Sequence, residues 1–116
     1  MKPKLSNLLA SENLSLKKVL KIIQKNTTGT AFIISKNKKI KGLITDGDIR
    51  RLILKNKLNL NEKVKKFCNK KFKSLNIKSG LEKINNCFSK EIRILPLVND
   101  NNIIIDYALY NTTYKI

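Results

Sequence analysis

The sequence predicts an α+β fold built twice, from two βαββα-type repeats packed about a pseudo-twofold axis, the second truncated. Three observations predict it. Apolar residues recur at helical spacing in two places, at Leu16, Val19, Leu20 and Ile23 and again at Leu81, Ile84 and Phe88. Each set precedes two short β-rich runs, Phe32-Ile33-Ile34-Ser35 with Ile40-Lys41-Gly42, then Pro96-Leu97-Val98-Asn99 with Ile103-Ile104-Ile105. The helices recur at a spacing of 65 residues and the first strands at 64. Neither half can bury both faces of so small a sheet alone, so residues 1–58 and 59–116 read as two repeats forming one globular unit.

Along the chain, Leu5, Leu8 and Leu9 suit a short helix or a docking strand. Ser15 is placed to cap an amphipathic helix over 15–25, which Thr27-Thr28-Gly29 ends. A strand over 30–35, a basic turn at Lys36-Asn37-Lys38-Lys39, a strand over 40–45 and a helix over 46–55 follow, with Ile49, Leu52 and Ile53 on one helical face. The polar stretch 56–61 is the joint between halves, and 62–68 reads as a short helical turn. A strand over 73–77 leads to the helix beginning at Ser79-Gly80-Leu81. Pro96 interrupts the β-branched run 92–98, Asn99-Asp100-Asn101-Asn102 is a turn by composition, and 103–110 is a last strand-like run. No closing helix is evident in the second half.

Bulk composition narrows the function. At 116 residues and 41% hydrophobic content the chain suits a folded domain rather than a disordered one. No apolar run approaches the roughly 18 residues of a membrane span, and Ser6 and Asn7 interrupt any leader, so the cytoplasm is the expected location. Cys68 and Cys87 form no Cys-x-x-Cys pair, and there is no histidine, so no metal site is expected and two reduced thiols are. The missing histidine, the lack of a Walker-type loop and the lack of a nucleophile with a partnered base argue against an enzyme, and no cofactor is required. The net charge of +17 would attract polyanions. However, its lysines are scattered, only Arg50, Arg51 and Arg93 are arginines, and aromatics are 6%, so a solvated basic surface is favoured over nucleic-acid binding.

The organising element is Gly42-Leu43-Ile44-Thr45-Asp46-Gly47-Asp48-Ile49-Arg50-Arg51, a strand turning sharply into a helix N-terminus. Such a terminus exposes backbone N–H groups at the positive end of the helix dipole and suits a phosphorylated small molecule. Thr45 and Asp48 also have the spacing of a capping box, with Asp in place of the usual Glu.

Together with the hairpin 32–42 and the second-half run Arg93-Ile94-Leu95-Pro96-Leu97-Val98-Asn99, this element resembles a tandem pair of CBS domains, the Bateman module, over about residues 9–110. The wording Thr-Asp-Gly-Asp-Ile-Arg-Arg is most similar to the CBS pairs at the N-terminus of bacterial sugar-phosphate nucleotidyltransferases, and related runs occur in CBS pairs attached to sugar-phosphate isomerases. In the nucleotidyltransferases a glycine-rich catalytic domain follows the second repeat. No such loop stands in these residues, so that domain is encoded separately, lost or outside this sequence.

The resemblance implies a regulatory module that binds AMP, ATP or a related adenosyl ligand, acts on a sugar-phosphate nucleotidyltransferase or isomerase, and forms a homodimer. It implies ligand-binding roles for Gly42, Thr45, Asp46, Asp48, Arg50 and Arg51, with the Thr45 hydroxyl on phosphate or ribose and the Asp48 carboxylate on the ribose diol. Where Gly, Thr and Asp would stand in the second half, the reading finds Ile105, Ala108 and Asn111, so at most one competent site is expected. The alternative is a purely structural, dimerising pair without ligand.

Overall fold

A strand parallel to the middle strand of a sheet, a helix, and then an antiparallel hairpin make up each half of the chain. The structure, a computed structural model, describes residues 2–110. Two compact units divide it, Pro3–Phe72 and Lys73–Ile116, with Lys2 belonging to the second.

In the first unit β1 (Leu9–Ser11) runs parallel to β2 (Thr30–Ile34), which pairs antiparallel with β3 (Ile40–Thr45). Helix α1 (Leu16–Asn26) connects β1 to β2, and α2 (Asp46–Leu54) follows β3. The helix α1 starts where Ser15 Oγ accepts the Lys18 amide at 3.3 Å, and it buries Leu16, Val19 and Ile23. It ends at Thr27, whose φ of 64° turns the chain while its amide donates to Ile23 O. The neighbouring Asn26 is buried, and all its polar atoms are used. Its Nδ2 donates to Thr30 O at 2.9 Å and Asn7 O at 3.2 Å, while its Oδ1 accepts from the Thr28 amide and hydroxyl. That network pins the helix end to the start of β2.

Residues 59–72 form a strap on this unit. Leu16 and Lys17 donate their amides to Glu62 O and Leu60 O at 2.8 and 3.0 Å, and Val64 donates to Leu14 O at 2.8 Å. The expected helical turn is present as a single 3-10 turn, Val64–Lys66, and it seats Val64 fully buried among Leu16, Val19, Ile33 and Ile44. Further along, Leu43 and Asn69 exchange both backbone hydrogen bonds, at 3.0 and 2.8 Å. The periodicity of the sequence changes at 58, but the packing continues to Phe72.

The second unit repeats the topology with β4 (Leu75–Asn76), α3 (Leu81–Asn86), β5 (Ile94–Val98) and β6 (Ile104–Leu109), in sheet order β4-β5-β6. A register shift falls between Ile33 and Ile34 in one sheet and between Leu97 and Val98 in the other, the same position 64 residues on. Pro96 therefore sits inside a central strand. In the first unit the Phe32 amide donates to Leu8 O at 2.8 Å. Pro96, its counterpart, has no N–H to give, and β4 pairs only beyond it, with Leu97 and Val98. This is why the strand expected over 73–77 is two residues long.

Two expected apolar faces are not covered. Leu81 is 77% exposed, outside the buried cluster of Leu75, Ile84, Leu95 and Leu97. Its counterpart Leu16 shares a buried cluster with Val64 of the strap. Of the face on α2, Ile49 is buried and Leu52 packs against it, but Ile53 is 55% exposed near the helix end. Any closing helix of the second half falls on residues 111–116, outside the described residues.

Candidate functional site

The junction of β3 and α2 has the polar geometry expected of the organising element. Thr45 is the N-cap: its Oγ1 accepts the Asp48 amide at 3.2 Å, and Asp48 Oδ2 accepts the Thr45 amide at 3.0 Å. The capping box is therefore formed in both directions. The other carboxylate oxygen, Oδ1, accepts from Arg51 Nη2 at 2.6 Å, one turn along the same helix. The guanidinium lies across Gly47, where a Cβ would stand 3.6 Å from both its terminal nitrogens and from Thr45 Oγ1.

Asp46 is exposed, and its amide donates to Gly29 O at 2.9 Å. Gly29 has φ +76°, and a Cβ there would meet Asp46 Oδ2 at 2.9 Å. Glycine at 29 thus serves both the turn and the close approach of the helix start. Thr45, Asp46, Asp48 and Arg51 come together at this terminus. Arg50 stands apart, exposed and with no ion-pair partner among the described residues.

Gly42 plays a different part from the other five. It is buried, and a Cβ on it would lie 2.8 Å from Asn69 O and 2.8 Å from Cys68 Sγ. The close approach of the strap demands glycine here. Sequence reasoning missed Cys68 and Asn69 in this role, and no local signal points to them. Burial beside β3 pushes the Cys68 thiol above its ordinary pKa of 9.0, with Lys70 opposing the shift. The strap also borders an open cleft of about 560 Å³ lined by Asn61, Glu62, Lys63, Lys65, Lys66 and Lys70.

The second unit requires a correction of register. Gly42 pairs with Ile33, and 64 residues on Asp106 pairs with Leu97. The counterparts of Gly42 and Thr45 are therefore Asp106 and Leu109, not Ile105 and Ala108. The counterpart of Asp48 is Thr112, which, like Asn111, lies outside the described residues. Three consecutive isoleucines, 103–105, hide the register, and a slip of one residue exchanges the two faces of a strand. A side chain is accommodated at 106, where the carboxylate takes Lys2 Nζ at 3.1 Å. Lys2 also donates to Tyr107 O and stacks its ammonium 4.4 Å from the Tyr107 ring centroid. Leu109, at the position matching Thr45, supplies no hydroxyl.

Among protein families, the CBS domain matches residues 6–55. Over 114 residues the chain is 31% identical to a probable arabinose 5-phosphate isomerase of Haemophilus influenzae, matching 97% of the chain but 33% of that protein. The chain thus spans about a third of the relative's length, and the sugar-phosphate enzyme it matches is an isomerase rather than a nucleotidyltransferase.

Solved structures extend the likeness to both units. One is CBSX2 in complex with AMP, with TM-score 0.80 and 18% identity, covering 99% of this chain and 90% of that one. Another is the CBS domain pair of protein MJ0100 in complex with 5′-methylthioadenosine and S-adenosyl-L-methionine, with TM-score 0.75 and 20% identity, covering 94% of this chain and 87% of that one. The two three-stranded units have the fold of a CBS pair. No helix among the described residues is long and apolar enough to cross a membrane.

Proposed function

We propose that this chain is a regulatory CBS pair that binds an adenine nucleotide at the β3–α2 junction and modulates a sugar-phosphate enzyme. The observation that carries this reading is the Thr45–Asp48–Arg51 constellation on a capped helix N-terminus. A carboxylate can accept two hydroxyl hydrogen bonds, as a ribose diol offers, and the helix terminus with an adjacent guanidinium attracts phosphate. AMP bound to CBSX2, a neighbour in fold, supports the ligand class. The likeness to an arabinose 5-phosphate isomerase supports a sugar-phosphate isomerase as the regulated activity, with a nucleotidyltransferase as the other candidate. Association into a homodimer belongs to the same proposal, as does binding through Gly42, Asp46 and Arg50.

Titration calorimetry with AMP, ATP and CMP tests it. Heat with AMP or ATP at up to millimolar concentration is expected, and silence with all three refutes the nucleotide reading. Asp48→Ala should then weaken AMP by about 1–3 kcal/mol, the scale of a lost charge-assisted bond.

A second reading has its own support. Asp48 has both carboxylate oxygens engaged within the protein, and the second unit carries Asp106 and Leu109 at the matching strand positions. A purely structural, dimerising pair needs no more than this. The same titration separates the two readings.

A further inference from the structure

Asp48 holds two partners of unequal strength, and the inequality bears on which adenosyl compounds the site takes; the inference rests on the nucleotide reading above. Oδ2 is tied to the Thr45 amide as half of the capping box, so surrendering it leaves that part-buried N–H unpaired. Oδ1 is held by Arg51, a side chain that is 63% exposed and can swing into solvent. A ligand hydroxyl reaching for Asp48 therefore competes with Arg51 for Oδ1.

The displaced guanidinium exchanges its ion pair with Asp48 for water alone. It is anchored one turn along the same helix, and it rests against Gly47 in the first turn, where the helix dipole presents its positive end. A neutral nucleoside that takes Oδ1 leaves this cation without its partner. A ligand that also brings a phosphate supplies a new one, and a planar guanidinium binds phosphate through two parallel N–H donors.

We infer that Arg51 is a latch on Asp48 that sets the ligand class, admitting phosphate-bearing nucleotides and disfavouring phosphate-free adenosyl compounds. The ligands of the MJ0100 pair, a thioether nucleoside and a sulfonium cation, are of the disfavoured kind. A sulfonium would meet the released guanidinium as a like charge, on a chain already at +17.

AMP and adenosine, which differ only in the phosphate, are the probes, titrated calorimetrically against the wild type, Arg51→Gln and Arg51→Lys. The wild type should prefer AMP by about tenfold, equivalent to 1.4 kcal/mol and to one charge-assisted bond. In Arg51→Gln the latch is gone, so adenosine should bind about two- to fivefold more tightly, the scale of one partly exposed ion pair. The preference for AMP should then fall to within about threefold, with Arg51→Lys intermediate. Thermal unfolding of each variant checks that the fold is retained.

Equal affinity of the wild type for AMP and adenosine overturns the inference. So does an Arg51→Gln variant that keeps the preference, or one in which adenosine does not tighten. Silence of the wild type towards both probes refutes the nucleotide reading, and the latch falls with it. AMP binding with an unmoved preference overturns the latch alone.

Discussion

Replacing Gly42 by alanine is the sharpest test of how the strap is held. The new methyl would stand 2.8 Å from Asn69 O and 2.8 Å from Cys68 Sγ. Carbon-to-oxygen contacts normally begin near about 3.3 Å, so the overlap is about half an ångström. The oxygen cannot rotate away, because it belongs to the backbone and accepts the Leu43 amide at 3.0 Å, while Asn69 returns its own amide to Leu43 O at 2.8 Å. Either the strap lifts and gives up both bonds, at about 0.5–1.5 kcal/mol each, or β3 distorts at the similar cost of an overpacked core. Alanine recovers about 0.5 kcal/mol of backbone entropy relative to glycine, so the net loss should be about 0.5–2.5 kcal/mol.

Urea unfolding followed by far-UV circular dichroism reads that loss as a lower midpoint at unchanged slope. Amide exchange should show faster opening at Leu43 and Asn69, with the core amides of β2 following the global change. Adding Cys68→Ala removes the sulfur contact but not the carbonyl, so the double variant should recover only part of the loss. An unchanged midpoint with the Asn69 amide still protected refutes the reasoning, and full recovery in the double variant would show that the carbonyl does not set the limit.

Three further outcomes are expected. Thr45→Val removes the cap acceptor for the Asp48 amide and should cost about 1 kcal/mol in urea unfolding, with α2 fraying first in amide exchange. Asn26→Ala leaves Thr30 O and Asn7 O without the donor that now serves both, and a loss of about 2–3 kcal/mol is expected in the same assay. Thiol reagents should modify half-buried Cys87 well before buried Cys68.

Burial holds the Cys68 pKa above 9.0, so below that pH both folded and unfolded chains keep the proton and stability is unaffected by this group. As pH rises past 9 the unfolded chain loses its proton first and stability falls, and Cys68→Ala should flatten that slope. Tyr107, raised by burial and by Asp106, adds a fall of the same sign from a higher pH. An unchanged alkaline slope in Cys68→Ala would show that the thiol is not the titrating group.

Local chemistry was readable, and coverage by distant segments was not. Ser15 before an apolar period of 3.6 marks the start of α1, and the strand expected over 40–45 is β3; both stand where expected. The Thr45–Asp48 spacing announced the capping box. Helical spacing says which residues share a face but not whether anything lies over it, hence the exposure of Leu81 and Ile53. The run of isoleucines at 103–105 suits two registers equally, and only the pairing of Leu97 with Asp106 decides between them. The role of Gly42 depends on Asn69, which reaches it through an isolated bridge that leaves no pattern in sequence.

The strap has a practical consequence for anyone dividing this protein. A cut at 58 follows the periodicity, yet it removes Val64 and Cys68 from the core of the first unit and strips Asn69 from β3. The piece left behind still carries Lys2, whose contacts are with Asp106 and Tyr107 of the second unit. Each product of that cut would hold a piece the other one needs. Two such fragments, poorly ordered apart, should restore structure when mixed, whereas a fragment ending at Phe72 keeps its own strap.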